Sequence, residues 1–288
     1  SNLDFKMANN DEELLSYSSL APLLEMLRRC GVCPLESNAP KLKKKLHRFY
    51  RHLNMTLILL YTMLQLIYVV QVRTDIDKLM DAMFILLTYL DCICKLVIFI
   101  WRPDKTLQLL NIMKSTSFNQ GLDHHRPLLE KTAKNALFLL RLFNFLCTCI
   151  CLMWALLSII LHLKNEHVEF TFWVPFDVYH NSMFYIAVCY VWLQTTWLGL
   201  NNSTMDIFII FCYAQVKTQL SILRLDLENL VSRSKEEART MSRSFTEVLE
   251  CRFRAIVHHY NEIIGYSKIT EETFSALIFF QFLASGWI

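Results

Sequence analysis

The chain has 288 residues, of which 54% are hydrophobic and 19% charged, with a formal net charge of +3 and only 5 Gly and 6 Pro. This composition excludes an intrinsically disordered chain and a loop-rich disulfide scaffold. Apolar runs of roughly 20 residues match the bilayer core, and lipid admits only helices or closed barrels, whose strands alternate polar and apolar residues. Because these runs do not alternate, the sequence predicts an all-α, polytopic membrane protein.

Four apolar runs are long enough to span the bilayer, and a fifth begins near the end of the chain. The fourth regains apolar character after Leu200, which predicts one long helix that leaves the membrane. The fifth run would be about 24 Å long as a helix, short of the roughly 30 Å core, so we expect the chain to stop inside a membrane helix. Ser1 in place of Met also indicates an incomplete sequence. The predicted spans are 53–72, 80–101, 136–163, 182–200 and the unfinished 273–288.

The distribution of Lys and Arg orients these spans. Nine such residues precede the first span, six lie in the second loop and nine follow the fourth span, against two and one in the first and third loops. Cationic residues are retained on the cytoplasmic side, which predicts a cytoplasmic amino terminus. The basic cluster at 41–45 is interpreted as part of this signal, with some attraction to anionic membrane lipid, and not as a nucleic-acid site.

Two leucine-rich stripes follow the fourth span and are separated by a polar break at 232–243. Their spacing of three and four residues predicts two amphipathic helices in an antiparallel cytoplasmic hairpin, with the stripes also contacting neighbouring subunits. Thr270, followed by Glu271 and Glu272, is expected to cap the start of the fifth span. Leucines between residues 14 and 27 predict a short helix along the inner membrane surface. The predicted subunit-contact residues are Leu220, Leu223, Leu227, Leu230, Phe253, Ile256 and Tyr260.

These features divide the chain into four predicted regions. They are a cytoplasmic amino-terminal segment (1–52), transmembrane helices one to four (53–211), the cytoplasmic hairpin (212–272) and the start of a fifth transmembrane helix (273–288).

No residue pattern typical of an enzyme or of a metal site is present in the sequence. No two of the nine His are three or four residues apart, the spacing that places two imidazoles on one helix face. The five Gly are isolated, so no phosphate-binding glycine loop exists. Cys30 and Cys33 form a Cys-x-x-Cys pair, but no second pair accompanies it. We therefore expect no catalysis, no cofactor, no metal and no structural disulfide.

Two charged residues lie near the middle of the second span. Asp91 and Lys95 are four residues apart, so they can pair on one helix face. Ionisable groups at this depth usually have a function. A self-neutralising pair with a snorkelling Lys95 is an equally good interpretation.

The outer halves of the second, third and fourth spans carry faces that mix apolar bulk with single hydroxyl or indole groups. Faces of this kind can line a cavity for a small, mostly apolar molecule whose few polar groups fix its orientation. The alternative is ordinary packing between helices. The candidate ligand-binding residues are Phe84, Leu87, Thr88, Cys151, Trp154, Ser158, Tyr185, Val188 and Trp192.

With this topology, several short motifs resemble the insect odorant receptor family in their order and spacing. They are the Phe172-Trp173-Val174-Pro175-Phe176-Asp177 run, Asp206, His258 or His259 followed by Ile263 and Ile264, Phe274-Ser275, and Gln281-Phe282 with Ser285.

The resemblance implies a seven-span plan, of which about five spans are present here, in the plasma membrane of a sensory neuron dendrite. It implies a ligand-tuning subunit, because the intracellular loop is too short for the co-receptor, in a tetrameric, nonselective cation channel gated by small volatile odorants. In this family the odorant binds among the outer parts of the second, third, fourth and sixth helices, and the hairpin corresponds to the region of subunit contact. A gustatory receptor of the same superfamily and a G-protein-coupled receptor are the alternatives.

Overall fold

A computed structural model gives the conformation of residues 16, 20–33, 40–101, 103–119, 125–166, 168, 170–174 and 181–286. All regular secondary structure in these ranges is helical, which confirms the all-α prediction. The helices are α1 (Ala21–Arg29), α2 (Lys41–Gln71), α3 (Ile76–Trp101), α4 (Pro103–Met113), α5 (Arg126–Leu163), α6 (Asn181–Glu228), α7 (Leu230–Met241) and α8 (Phe245–Gly286).

Four helices of the described chain are long and apolar enough to span a membrane. They are α2, α3, α5 and α6. Each of them covers one of the four complete spans predicted from the sequence, and α2 ends one residue before the predicted end at 72. The long fourth helix was predicted correctly, since α6 continues without a break from Asn181 to Glu228. The predicted fifth span falls in the last part of α8. Leu14, Pro175, Phe176 and Asp177, together with the Ser285 side chain and residues 287–288, lie outside the described residues.

The chain divides into two compact units. The membrane unit consists of Leu23–Pro103, Leu137–Ile209 and Thr273–Ile288. The hairpin unit consists of Ser1–Pro22, Asp104–Ala136 and Ile210–Glu272. α5, α6 and α8 each contribute residues to both units.

The expected helix start at Thr270 is wrong. α8 is continuous from Phe245 to Gly286, and Thr270 is fully buried inside it. Its hydroxyl donates to the Tyr266 carbonyl at 2.9 Å, one turn earlier, which is the alternative use of a threonine that does not cap. The sequence around Thr270 contains no proline, so nothing ends the preceding helix there.

The polar break at 232–243 is also helical for most of its length. α7 occupies Leu230–Met241, because Lys, Glu, Ala and Arg favour a helix whether or not one face is apolar. The reversal of the chain is confined to the residues after it, where Ser242 adopts a left-handed φ of 54°. Arg252 on α8 pairs with Glu237 on α7. The antiparallel hairpin is therefore present, with a helical arm where a break was expected.

The amino-terminal helix, α1, packs its apolar face against protein. Leu23, Leu24 and Leu27 are all buried, so its apolar face is not available to lipid as expected. Burial raises the pKa of Cys30 to about 11 and that of Cys33 to about 12. Both thiols therefore ionise less readily than an exposed thiol does.

Candidate functional site

Two contacts fix the register of α5 against α6 in the membrane unit. The rings of His162 and Phe184 stack with centroids 3.8 Å apart. Fifteen residues away on both helices, a Cβ built on Gly199 would lie 2.3 Å from Cys147 Sγ. Since both contacts have the same offset, the helices run antiparallel in one register. This register places Ser158 level with Val188.

The candidate ligand-binding residues of α5 and α6 therefore lie at matching levels. Trp154 is level with Trp192 in the same register, and Cys151, Ser158 and Val188 are buried. Trp154 and Tyr185 remain 37% and 41% exposed.

The α3 residues occupy the same depth but a different face. Tyr89 of α3 lies 3.5 Å from the Thr195 hydroxyl of α6, which places Phe84 and Thr88 level with the candidate residues of α6. Phe84 is nevertheless 51% exposed. Thr88, one helical turn later, is also exposed, and Leu87 is half-buried. Along the helices the nine residues thus occupy one stretch of about 15 Å. The described structure does not gather them around one enclosed cavity.

A chain of aromatic rings lies beside these residues and was not predicted. Tyr61 of α2 stacks on Tyr89 with centroids 4.7 Å apart and contacts Phe172, which follows the third span, at 5.3 Å. The rings continue through Phe170 to Phe184, with steps of 5.6 and 5.9 Å. The sequence signal was available, because Phe170, Phe172 and Trp173 cluster in a short loop, but periodicity does not reveal what a loop covers.

A charge cluster is buried in the membrane unit around Lys95. The Lys95 ammonium is 2.7 Å from Asp91 Oδ2 and 2.9 Å from Asn202 Oδ1, as well as 2.7 Å from Asp206 Oδ1. Lys95 has no exposed surface, so it does not snorkel. The predicted Asp91–Lys95 pair is confirmed, and Asp206 and Asn202 of α6 extend it. Charges at this depth require such partners.

The hairpin unit is held by a buried polar network between α6 and α8. His259 Nε2 donates to Gln219 Oε1 at 2.9 Å, because that oxygen can only accept. The Gln219 amide in turn donates to the Phe118 carbonyl at 3.2 Å. Gln219 and His259 are both buried, so loss of either side chain would leave a polar atom of the other without a hydrogen-bond partner.

The predicted subunit-contact residues take two positions on the hairpin unit. Leu220, Leu227, Phe253 and Tyr260 are exposed, whereas Leu223 is buried. Leu230 and Ile256 line a cavity of about 70 Å³ together with Asp226, Arg233, Arg252, Ala255 and His259.

The buried His259 predicts a pH dependence of stability. Burial lowers its pKa below the ordinary 6.5, and this effect outweighs the opposing charges of Asp226 and Glu262, while His125 and His258 lower the pKa further. Below pH 6.5 the unfolded chain binds a proton that the folded chain resists, so stability is complete above pH 6.5 and declines as the pH falls towards the folded pKa. The slope cannot exceed about 1.4 kcal/mol per pH unit for one proton.

Thermal unfolding of the purified protein between pH 7.5 and pH 5 measures this effect. His259→Gln, which keeps a neutral donor, is expected to flatten the dependence. His258→Gln is the matched control, because that neighbouring side chain is 70% exposed. An equal flattening by both substitutions contradicts the prediction.

These observations define a helical, multi-pass membrane protein with aromatic and polar groups inside its membrane unit. The sequence profile described as "7tm Odorant receptor" matches residues 75–288. The chain belongs to this family of odorant receptors, and the membership confirms the expectation that it is not an enzyme. A search of curated protein sequences gives no match.

Solved structures with the same fold come from an insect. The olfactory receptor OR5 from Machilis hrabei superposes with a TM-score of 0.72 at 18% identity, over 94% of this chain and 70% of that one. The same receptor in complex with eugenol superposes with a TM-score of 0.70 at 18% identity, over 96% of this chain and 70% of that one. At this identity the similarity shows the fold alone.

Proposed function

We propose that the chain is an odorant receptor subunit that binds small, mostly apolar volatile molecules among the outer halves of α3, α5 and α6. The observation that carries the proposal is the antiparallel register of α5 and α6, which sets their candidate residues on facing helices with Cys151, Ser158 and Val188 buried. The solved relative that shares the fold binds eugenol, a small volatile phenol, which supports a ligand of this class.

The subunit acts with a co-receptor to gate a nonselective cation channel, with its amino terminus in the cytoplasm of a sensory neuron dendrite. Four of the predicted subunit-contact residues are exposed apolar side chains, which supports assembly through the hairpin. Ligand binding opens the channel because the open arrangement binds the odorant better than the closed one, and no covalent chemistry is needed.

Co-expression with a co-receptor tests this function. An odorant panel is expected to evoke cation currents that neither subunit gives alone, and an epitope at the amino terminus is expected to stain only permeabilised cells. Surface-expressed receptor that stays silent across the panel, or staining of intact cells, contradicts the proposal.

Trp154→Ala is expected to change odorant potency by about tenfold, since a large aromatic side chain in a ligand site commonly contributes more than 1 kcal/mol. Dose–response curves at equal surface expression measure the change. Met153→Ala is the matched control, because Met153 lies on the same turn of α5 but is 69% exposed. Unchanged curves for Trp154→Ala would assign this residue to packing.

A further inference from the structure

A stripe of polar side chains runs along one face of α6 inside the membrane unit. Tyr190, Gln194, Trp197 and Asn201 follow one another at four, three and four residues, so they share a helix face over roughly 16 Å. This face is opposite to the one that carries Trp192, two residues from Tyr190. The stripe is therefore separate from the candidate odorant residues of α6.

The stripe faces α2. The Tyr190 ring is 6.0 Å from the Tyr61 ring, and the Trp197 ring is 5.9 Å from the Tyr50 ring. Gln65 lies one turn beyond Tyr61 on the same face of α2. We call this interface the α2–α6 seam; it is formed by Tyr61, Gln65, Tyr190, Gln194, Trp197 and Asn201.

Polar atoms along the seam are buried and lack protein partners. In the part of the chain that the structure describes, no hydrogen bond reaches either amide atom of Gln65, the Tyr190 hydroxyl, Gln194 Nε2, Trp197 Nε1 or Asn201 Oδ1. Gln65, Gln194 and Asn201 are each more than nine-tenths buried. Unpaired polar groups are costly within the hydrocarbon region, and native proteins rarely leave them so. Six such atoms along one helix interface indicate small partners bound at several points of the seam.

The chemistry of these atoms defines that partner. The indole N–H and the two glutamine NH₂ groups can only donate. Gln65 Oε1 and Asn201 Oδ1 can only accept, and the Tyr190 hydroxyl can do either. If these groups paired with one another, some donors would still lack an acceptor. Exchanging the oxygen and nitrogen positions of a glutamine amide would not give the indole a partner, because the indole can only donate. The partner must therefore supply acceptor oxygens and be small enough to enter a packed helix interface.

We propose that the α2–α6 seam is a hydrogen-bonding site for small oxygen acceptors, namely water and the hydroxyl or carbonyl oxygen of a volatile ligand. Water suits this role because it accepts and donates, and buried water typically bridges otherwise unsatisfied groups. The volatile ligand as an occupant rests on the proposed odorant receptor function. Occupancy by water does not depend on that function. The water site and the odorant receptor function can therefore be contradicted independently.

Radiolytic hydroxyl-radical footprinting of the purified full chain in lipid nanodiscs tests the site, because radicals formed from bound water oxidise adjacent side chains. Tyr61 of the seam is as buried as Tyr266 of the hairpin unit, yet it is expected to be oxidised several times faster. A rate as low as that of Tyr266 overturns the proposal.

Adding 1-hexanol or n-hexane then separates the two oxygen sources. Protection of Tyr61 by 1-hexanol and not by n-hexane assigns the site to a ligand oxygen as well as to water. Fast oxidation that neither compound changes supports the site with water as its occupant. Equal protection by both compounds overturns the hydrogen-bonding role, because n-hexane has no oxygen.

Tyr190→Phe provides a second measurement that removes a single hydroxyl. If the hydroxyl bonds to a bound oxygen, the apparent melting temperature falls by about 2–4 °C, as expected for one hydrogen bond in a chain of this size. Tyr213→Phe is the matched control, because Tyr213 is also on α6 but is exposed. An unchanged or raised melting temperature for Tyr190→Phe overturns the proposal, because removal of an unpaired hydroxyl would stabilise the fold.

Discussion

Lys95→Met is expected to destabilise the receptor by about 3–5 kcal/mol, the cost of removing one partner from a buried ion cluster. The substitution keeps most of the side-chain volume but leaves Asp91 and Asp206 without their shared cation. Both carboxylates contact the ammonium at 2.7 Å, and Lys95 is completely buried, so water cannot replace it without opening the helix interface. The effect is large relative to the total stability of a protein, which is about 5–15 kcal/mol. Surface expression and the thermal unfolding of purified protein measure it.

Two controls separate charge from packing in this experiment. Lys105→Met removes a lysine that pairs with Glu272 but is one-third exposed, so a loss below about 1 kcal/mol is expected. The triple substitution of Asp91→Asn, Lys95→Met and Asp206→Asn removes all three charges and is expected to recover much of the lost stability. A triple variant as unstable as Lys95→Met would mean that the lysine acts through its shape and not through its charge.

Gly199→Ala is expected to destabilise the membrane unit by about 1–3 kcal/mol, the usual cost of overpacking. α5 and α6 approach each other so closely that the new Cβ would lie 2.3 Å from Cys147 Sγ. Either the sulfur must leave its position or the helices must separate, and separation would also disturb the hydrogen bond of 2.7 Å from the Ser203 hydroxyl to Asn144 Oδ1. Small residues at such contacts allow the close approach that helix packing in membranes requires.

A double-mutant cycle identifies the clash as the cause. Cys147→Ala removes the sulfur and is expected to restore most of the stability lost in Gly199→Ala. Gly265→Ala is the matched glycine control, because nothing lies within 4 Å of a Cβ at that position. Thermal unfolding of the four variants gives the coupling energy. If the two losses simply add, the close contact is not the origin of the effect.

The spans, the long fourth helix and the hairpin were readable from the sequence because each depends on local hydrophobic pattern. The Asp91–Lys95 pair was readable for the same reason, since both residues lie on one helix. The addition of Asp206 and Asn202 was not, because it depends on the side-by-side placement of α3 and α6. The register of α5 against α6 was equally hidden, since it rests on the fit of Gly199 against Cys147.

Local signals also misled where a longer element dominates. Thr270 with Glu271 and Glu272 has the composition of a helix start, yet α8 runs through it. The polar stretch that forms α7 was taken for a break because the apolar stripe ends there. For the candidate ligand site, sequence reasoning placed the residues at a common depth but did not predict which side of α3 would carry Phe84 and Thr88.

The composition of the charge cluster has a consequence for biogenesis. α3 is synthesised and inserted long before Asp206, which follows Lys95 by about a hundred residues, or on the order of ten seconds of translation. During that interval the ammonium has only Asp91, one turn away on its own helix. Asp91 therefore supplies the counter-charge while α3 enters the bilayer. Asp206 and Asn202 contact the ammonium only after α6 has been inserted.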